Sequence, residues 1–228
     1  MRVEHIGDCR LILGDCRDVL PTLGPVDAVV TDPPYGLGFA AQPTRYQRAN
    51  GMQPQSWDDE RPQDIVAALV EAHPRIIIWG GNYFDLRPTR GWLVWTKTGN
   101  APSMADLELA WTSMDMNSRR FEKSVASASR EKDLQNGAHP SQKPVELMAW
   151  CLDFVPGSGP VLDPFMGSGT TGVACASRGR PFIGIEREPT YFDIACRRVE
   201  EAYRQPRLFA EPAPKPVQDS LFTSEAAA

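Results

Sequence analysis

Residues 161–172 read Val161-Leu162-Asp163-Pro164-Phe165-Met166-Gly167-Ser168-Gly169-Thr170-Thr171-Gly172. A short apolar run that breaks into G-x-G-x-x-G and then into a helical pattern predicts a strand, a tight turn and a helix. The helix is expected over 171–177, and the next apolar run, Phe182-Ile183-Gly184-Ile185, predicts a second strand ending at Glu186. Strand, helix and strand in that spacing form a βαβ unit, which needs a parallel sheet with covered faces.

The rest of the chain repeats the alternation. Strands are predicted at Arg10-Leu11-Ile12-Leu13, at 26–30, at Ile76-Ile77-Ile78-Trp79, at Trp92-Leu93-Val94-Trp95 and at 107–111. Helices are predicted over 64–72, where Ile65, Val66, Leu69 and Val70 share one face, over 144–154 with Pro144 near the first turn, and over 189–203. The expected architecture is α/β with a mostly parallel sheet. Segment 36–60 has no clear period and is long for a plain connection, so it is expected to be a functional, mobile loop. Segment 115–138 is polar, basic and irregular. Residues 205–228 hold four prolines and an Ala-rich end, the composition of a disordered tail. The expected division is a single domain over 1–204, with an insert at 112–138, followed by that tail.

The five cysteines are odd in number and form no Cys-x-x-Cys pair, so neither a disulfide framework nor a zinc site is expected. The charged start and the absence of a long apolar run predict no secretion signal and no membrane span. A reduced cytoplasm is the expected compartment.

Glycines after a strand let a ligand approach the backbone, and a carboxylate at the next strand end, here Glu186, suits two ribose hydroxyls. That pattern fits a dinucleotide or S-adenosylmethionine. The flank favours the second. Asp163-Pro164-Phe165-Met166 puts an acid and an aromatic ring before the glycines. S-adenosylmethionine carries an ammonium, a sulfonium and an adenosyl ring, and has no pyrophosphate to cradle.

Thr31-Asp32-Pro33-Pro34-Tyr35-Gly36 follows the second strand. Two prolines remove two backbone donors and stiffen the turn, leaving acceptors beside an aromatic ring. An exocyclic amino group has two N–H donors. The Asp32 carboxylate and the Pro33 carbonyl can take both and aim the nitrogen at a methyl donor, while Tyr35 stacks on the base. Asp32, Pro33, Pro34 and Tyr35 are therefore the candidate catalytic residues. A base in a duplex cannot reach such a turn without being flipped out.

With these motifs in view, the chain resembles the amino-directed DNA methyltransferases, the N6-adenine/N4-cytosine family. The catalytic motif at 31–36 precedes the cofactor motif at 161–170, with His139-Pro140-Ser141-Gln142-Lys143-Pro144 just ahead of the latter. That order is similar to the circularly permuted β group, and Trp92-Leu93-Val94-Trp95-Thr96-Lys97 and Glu108-Leu109-Ala110-Trp111-Thr112 are similar to small phage-type members. The resemblance covers roughly 10–204. It implies a Rossmann-like, circularly permuted fold with a seven-stranded sheet and one antiparallel strand, and S-adenosylmethionine as cofactor. Gly14-Asp15-Cys16 would touch the cofactor adenine, with Asp15 at its amino group. Asp163 and Phe165, with the backbone of Gly167, Ser168, Gly169 and Thr170, would hold the methionyl part. Glu186 would hold the ribose, and Ser141 and Lys143 would lie near the cofactor carboxylate. Asp32 also lines the cofactor site in this reading. Asp at the first motif position is commoner in adenine-directed members and Ser in cytosine-directed ones, so adenine N6 is the expected target and cytosine N4 the alternative.

Net charge is −5, which does not favour a nucleic-acid partner, although local patches can supply phosphate contacts. Between 117 and 143 six basic residues face three acidic ones. Arg45, Arg48, Arg119, Arg120 and Lys123 are the candidate DNA contacts. The short insert implies a short recognition sequence or a homodimer sharing the task, as in restriction-modification systems. Gln218-Asp219-Ser220-Leu221-Phe222 resembles a sliding-clamp-binding peptide. A non-catalytic DNA- or cofactor-binding module is disfavoured because Asp32 and the glycines are intact. A nicotinamide oxidoreductase is disfavoured by the Asp163-Pro164-Phe165 flank.

Overall fold

Ile76, Ile77, Ile78 and Trp79 are all fully buried. Alternate residues of a strand point to opposite faces, so this strand must be covered on both sides. The computed structural model supplies both covers. It describes residues 1–38, 59–99, 105–124 and 142–204.

In chain order the elements are β1 (Arg2–Ile6), β2 (Cys9–Leu13), α1 (Cys16–Val19), β3 (Ala28–Thr31), α2 (Gln63–Ala72), β4 (Ile76–Trp79), β5 (Trp92–Thr98), β6 (Leu107–Thr112) and β7 (Arg119–Ser124). They continue as α3 (Val145–Leu152), β8 (Val161–Asp163), α4 (Thr170–Arg178), β9 (Phe182–Glu186) and α5 (Pro189–Arg204). The sheet order is β1-β2-β9-β8-β3-β4-β6-β5-β7. Strands β2, β9, β8, β3 and β4 run parallel, so all five end on one rim.

The expected seven strands with one antiparallel member are present as β2 to β5, with β6 antiparallel to both β4 and β5. The count itself is corrected to nine among the described residues. β1 pairs antiparallel with β2 at one edge, and β7 pairs parallel with β5 at the other. Both additions are edge strands with a solvated face, so charged residues interrupt their apolar pattern. The stretch expected to be irregular from 115 onward thus contains a strand, Arg119–Ser124. Phe121 on it packs against Trp150 of α3, with ring centroids 5.4 Å apart.

One face of the sheet, through Leu11, Val30, Ile77, Trp79 and Leu93, packs on α3, α4 and α5 through Leu147, Cys151, Ala174, Phe192 and Val199. The other face, through Ile12, Val29, Ile76, Ile78, Leu162 and Ile185, packs on α1 and α2 through Val19, Ile65, Val66 and Leu69. The helix after β8 lies on the first face and the helix after β3 on the second. Chain direction therefore diverges between these neighbouring strands, and in open α/β sheets that point opens a crevice at the carboxyl rim. No helix among the described residues is long and apolar enough to cross a membrane.

Candidate active site

The crevice holds a cavity of about 720 Å³, within the usual range of small-molecule sites. Its walls come from the carboxyl ends of five strands. Gly14, Asp15 and Cys16 follow β2, Asp32 to Tyr35 follow β3, Asn82 and Tyr83 follow β4, Phe165 to Ser168 follow β8, and Glu186 ends β9.

The glycine turn explains one half. Gly167 and Gly169 have φ of 52° and 82°, in the left-handed region that side chains disfavour. A Cβ at Gly169 would sit 2.8 Å from Ala195 Cβ of α5, and one at Gly172 would meet the Phe182 ring at 2.8 Å. The first two glycines shape the turn and the third lets α4 close on the sheet. Glu186 Oε2 accepts from Gly167 N at 2.9 Å and Oε1 from Glu188 N at 2.8 Å, so its carboxylate is fixed at the strand end. Burial lifts the Glu186 pKa above the usual range. Asp15 caps α1 by accepting from Arg17 N at 2.8 Å.

Asp163 is 2% exposed and turned into the protein. Oδ1 accepts from Thr31 Oγ1 at 2.7 Å and from Phe165 N at 3.1 Å, and Oδ2 accepts from Thr171 Oγ1 at 2.7 Å. One carboxylate therefore ties β3, β8 and α4 together directly beneath both turns. Burial pushes its pKa up to about 6.

The other half centres on Asp32. Tyr35 donates its hydroxyl to Asp32 Oδ1 at 2.5 Å, and Lys143 Nζ donates to Asp32 Oδ2 at 2.5 Å. Lys143 also lies 3.1 Å from Glu108 Oε2 and 3.3 Å from the Tyr35 hydroxyl, while Glu108 Oε1 pairs with Lys97. Burial works against the Lys143 charge, but Asp32 and Glu108 outweigh it and hold its pKa well above the usual value. Burial lifts the Asp32 pKa, with Lys143 pulling down and Glu108 pushing up. Glu108 stays below the usual range because Lys143 and Lys97 overcome its burial. A carboxylate has about four lone-pair positions, so Asp32 keeps acceptor capacity beyond its two donors. Tyr83 stacks on Tyr35 with centroids 4.9 Å apart.

The structure brings Asp15, Cys16, Asp32, Pro33, Pro34, Tyr35, Lys143, Asp163, Phe165, Gly167, Ser168, Thr170 and Glu186 to one cavity. Gly169 shapes the turn from behind without lining it. Lys143, expected near a cofactor carboxylate, lines the cavity with its ammonium paired to Asp32. Arg119 and Arg120 are exposed on β7, whereas Lys123 pairs with Glu146 at 2.5 Å. Arg45, Arg48, Ser141 and Gln218 to Phe222 lie outside the described residues.

Glu108, Lys97 and Arg198 were not anticipated as site residues. Arg198 Nη1 donates to Ser168 O at 2.6 Å and lies within 3.2 Å of Thr170 Oγ1, pinning the glycine turn from α5. Its signal was a charge at the centre of the apolar face formed by Tyr191, Ile194 and Ala195.

The DNA methylase pattern of the N6/N4 type matches residues 94–197. The type II methyltransferase M.HinfI of Haemophilus influenzae is 29% identical over 90% of this chain and 73% of its own length. The M1.HpyAVI–SAM complex superposes with a TM-score of 0.51 at 24% identity, over 83% of this chain and 99% of that one. The cytosine-N4-specific PvuII DNA methyltransferase gives 0.57 at 15% identity, over 87% of this chain and 92% of that one. These two structural likenesses bear on the fold.

Proposed function

We propose that the chain is an N6-adenine/N4-cytosine DNA methyltransferase and that it methylates the exocyclic N6 of adenine in DNA, with S-adenosylmethionine as donor. The observation that carries this reading is Asp32 in the wall of the crevice, held by Tyr35 and Lys143, with the glycine turn lining the same cavity. Asp in that position, rather than Ser, favours adenine over cytosine.

The donor set fits the cofactor. Glu186 is held at a strand end by two backbone donors, in the place suited to ribose hydroxyls. Asp15 and Cys16 stand at the next strand rim for the adenine ring, and Phe165 offers an apolar wall. Asp163, committed to three internal donors, shapes the methionyl end through the turn. When bound, S-adenosylmethionine supplies an electrophilic methyl group on a sulfonium sulfur.

The residues of the chain do the positioning. The Asp32 carboxylate and the Pro33 carbonyl accept the two amino N–H bonds and turn the nitrogen lone pair toward the methyl. Alignment of this kind can supply on the order of 7–11 kcal/mol. Asp32 then stabilises the positive charge that develops on nitrogen and accepts the proton that nitrogen sheds. The base must be extrahelical to reach this turn.

The catalytic unit in this reading is 1–204, with target contacts from 36–60 and 112–138. Arg45, Arg48, Arg119 and Arg120 would touch phosphate. A homodimer sharing recognition, a clamp contact at 218–222 and a cytoplasmic restriction-modification setting belong to the same reading and rest on sequence pattern. The direct test is transfer of radiolabelled methyl from S-adenosylmethionine into acid-precipitable DNA. Incorporation that requires Asp32 supports the reading, and DNA that stays unlabelled at saturating cofactor refutes it.

A further inference from the structure

Lys143 is 6% exposed and carries two carboxylates, one from the catalytic turn and one from β6. Lys97 of β5 is 9% exposed and holds the far oxygen of Glu108. The resulting series Lys97–Glu108–Lys143–Asp32 contains two cations and two anions and is neutral. It is more than Asp32 orientation requires, since Lys143 alone would fix that carboxylate.

The proton balance of the reaction gives the extra pair a purpose. The amino nitrogen gains a carbon–nitrogen bond as the donor's sulfur–methyl bond breaks with its electron pair left on sulfur; the nitrogen becomes positive, then loses a proton. The N–H electron pair stays on nitrogen, and an O–H bond forms on Asp32. At that moment a lone buried Lys143 would lose its only anion, which is costly. We propose that Glu108 is a positioning residue that shares Lys143 with Asp32, so that Asp32 can take up this proton while Lys143 remains paired. This inference rests on the amino-methyltransferase reading above.

The groups facing the series, among the described residues, are few. Tyr35 touches Lys143 through its hydroxyl, Trp79 presents its ring 6.0 Å away, and the Cys151 thiol of α3 lies close enough to feel the ammonium. Asp163 acts on Asp32 from β8. Neither Cys151 nor Tyr35 is ionised near neutral pH, because burial pushes both up. Glu108 and Lys97 are therefore the charges whose removal shifts Asp32 most simply.

The test is the pH dependence of single-turnover methyl transfer by the full chain carrying Glu108→Gln or Lys97→Met. Removing the Glu108 charge leaves Lys143 wholly to Asp32, so Asp32 becomes a weaker base. The rate plateau should fall about tenfold, and the acid limb should move to lower pH. Removing Lys97 leaves Glu108 less neutralised, so the acid limb should move to higher pH. Cofactor affinity of both variants is measured by calorimetry, so that the limbs are read at saturating S-adenosylmethionine. If Glu108→Gln does not bind cofactor, the upward shift in Lys97→Met decides alone. Acid limbs that stay with the parent, or shift together, overturn the proposal. A parent enzyme that methylates no DNA overturns the functional reading as well, whereas an active parent without opposed shifts overturns this inference alone.

Discussion

Replacing Asp163 by Asn separates the structural work of this carboxylate from the chemistry above it. The amide keeps one acceptor oxygen for Thr31 Oγ1 and Phe165 N and turns an N–H₂ toward Thr171. The Thr171 hydroxyl can rotate to accept, so the loss is about one charge-assisted hydrogen bond, roughly 1.5–3 kcal/mol. Against this stands the penalty for keeping a charge at a site 2% exposed, where burial pushes the pKa up to about 6. The unfolded carboxyl titrates near 3.9. Between those two values the folded protein holds the extra proton, so this group makes stability fall as pH rises, and the whole penalty is present above the folded pKa. Two pH units correspond to roughly 3 kcal/mol. The variant lacks that term. Its stability relative to the parent should therefore improve by about 2–3 kcal/mol between pH 4 and 7. Urea unfolding of both proteins followed by tryptophan fluorescence across that range reads the difference directly. With a slope of about 2–3 kcal/mol/M, the gap between midpoints should move by about 1 M. A gap that stays constant with pH would refute the assignment of a buried, proton-retaining Asp163.

Further outcomes follow from the same geometry. Asp32→Ala should lower methyl transfer by at least about a hundredfold while cofactor affinity, measured by calorimetry, stays within a few-fold. Gly169→Ala forces a side chain into φ of 82° and against Ala195, so it should cost about 2–3 kcal/mol in urea unfolding. Neutralising Arg119 and Arg120 together should reduce the salt slope of DNA binding by about two, read by fluorescence anisotropy, and an unchanged slope removes them from the phosphate footprint.

The parallel sheet was legible because its central strands are continuous apolar runs, such as 76–79, and because glycines and Asp-Pro-Pro mark where strands end. Those markers also located both halves of the crevice. β1 and β7 escaped because edge strands expose one face, and Arg2, Glu4, Arg119 and Arg120 read as solvated polar sequence. The Lys97–Glu108 pair escaped for a different reason. Lys97 continues the face of Leu93 and Trp95, and Glu108 continues that of Ala110, whose members are almost wholly buried. A charge extending a buried face on each of two predicted strands was a usable signal, but matching them required the pairing register. The family resemblance implied a place for Lys143 near the cofactor carboxylate but gave no sign of its pairing with Asp32. Only the approach of α3 to the end of β3 puts its ammonium on Asp32.

In the proposed reaction Asp32, in this crevice, directs a methyl group onto adenine N6. Mixed-sequence DNA incubated with the enzyme and S-adenosylmethionine, digested to nucleosides and resolved by mass spectrometry, tests it directly. The expected product is N6-methyladenine, absent from DNA treated with Asp32→Ala. N4-methylcytosine as the product, or N6-methyladenine undiminished in the variant, would contradict it.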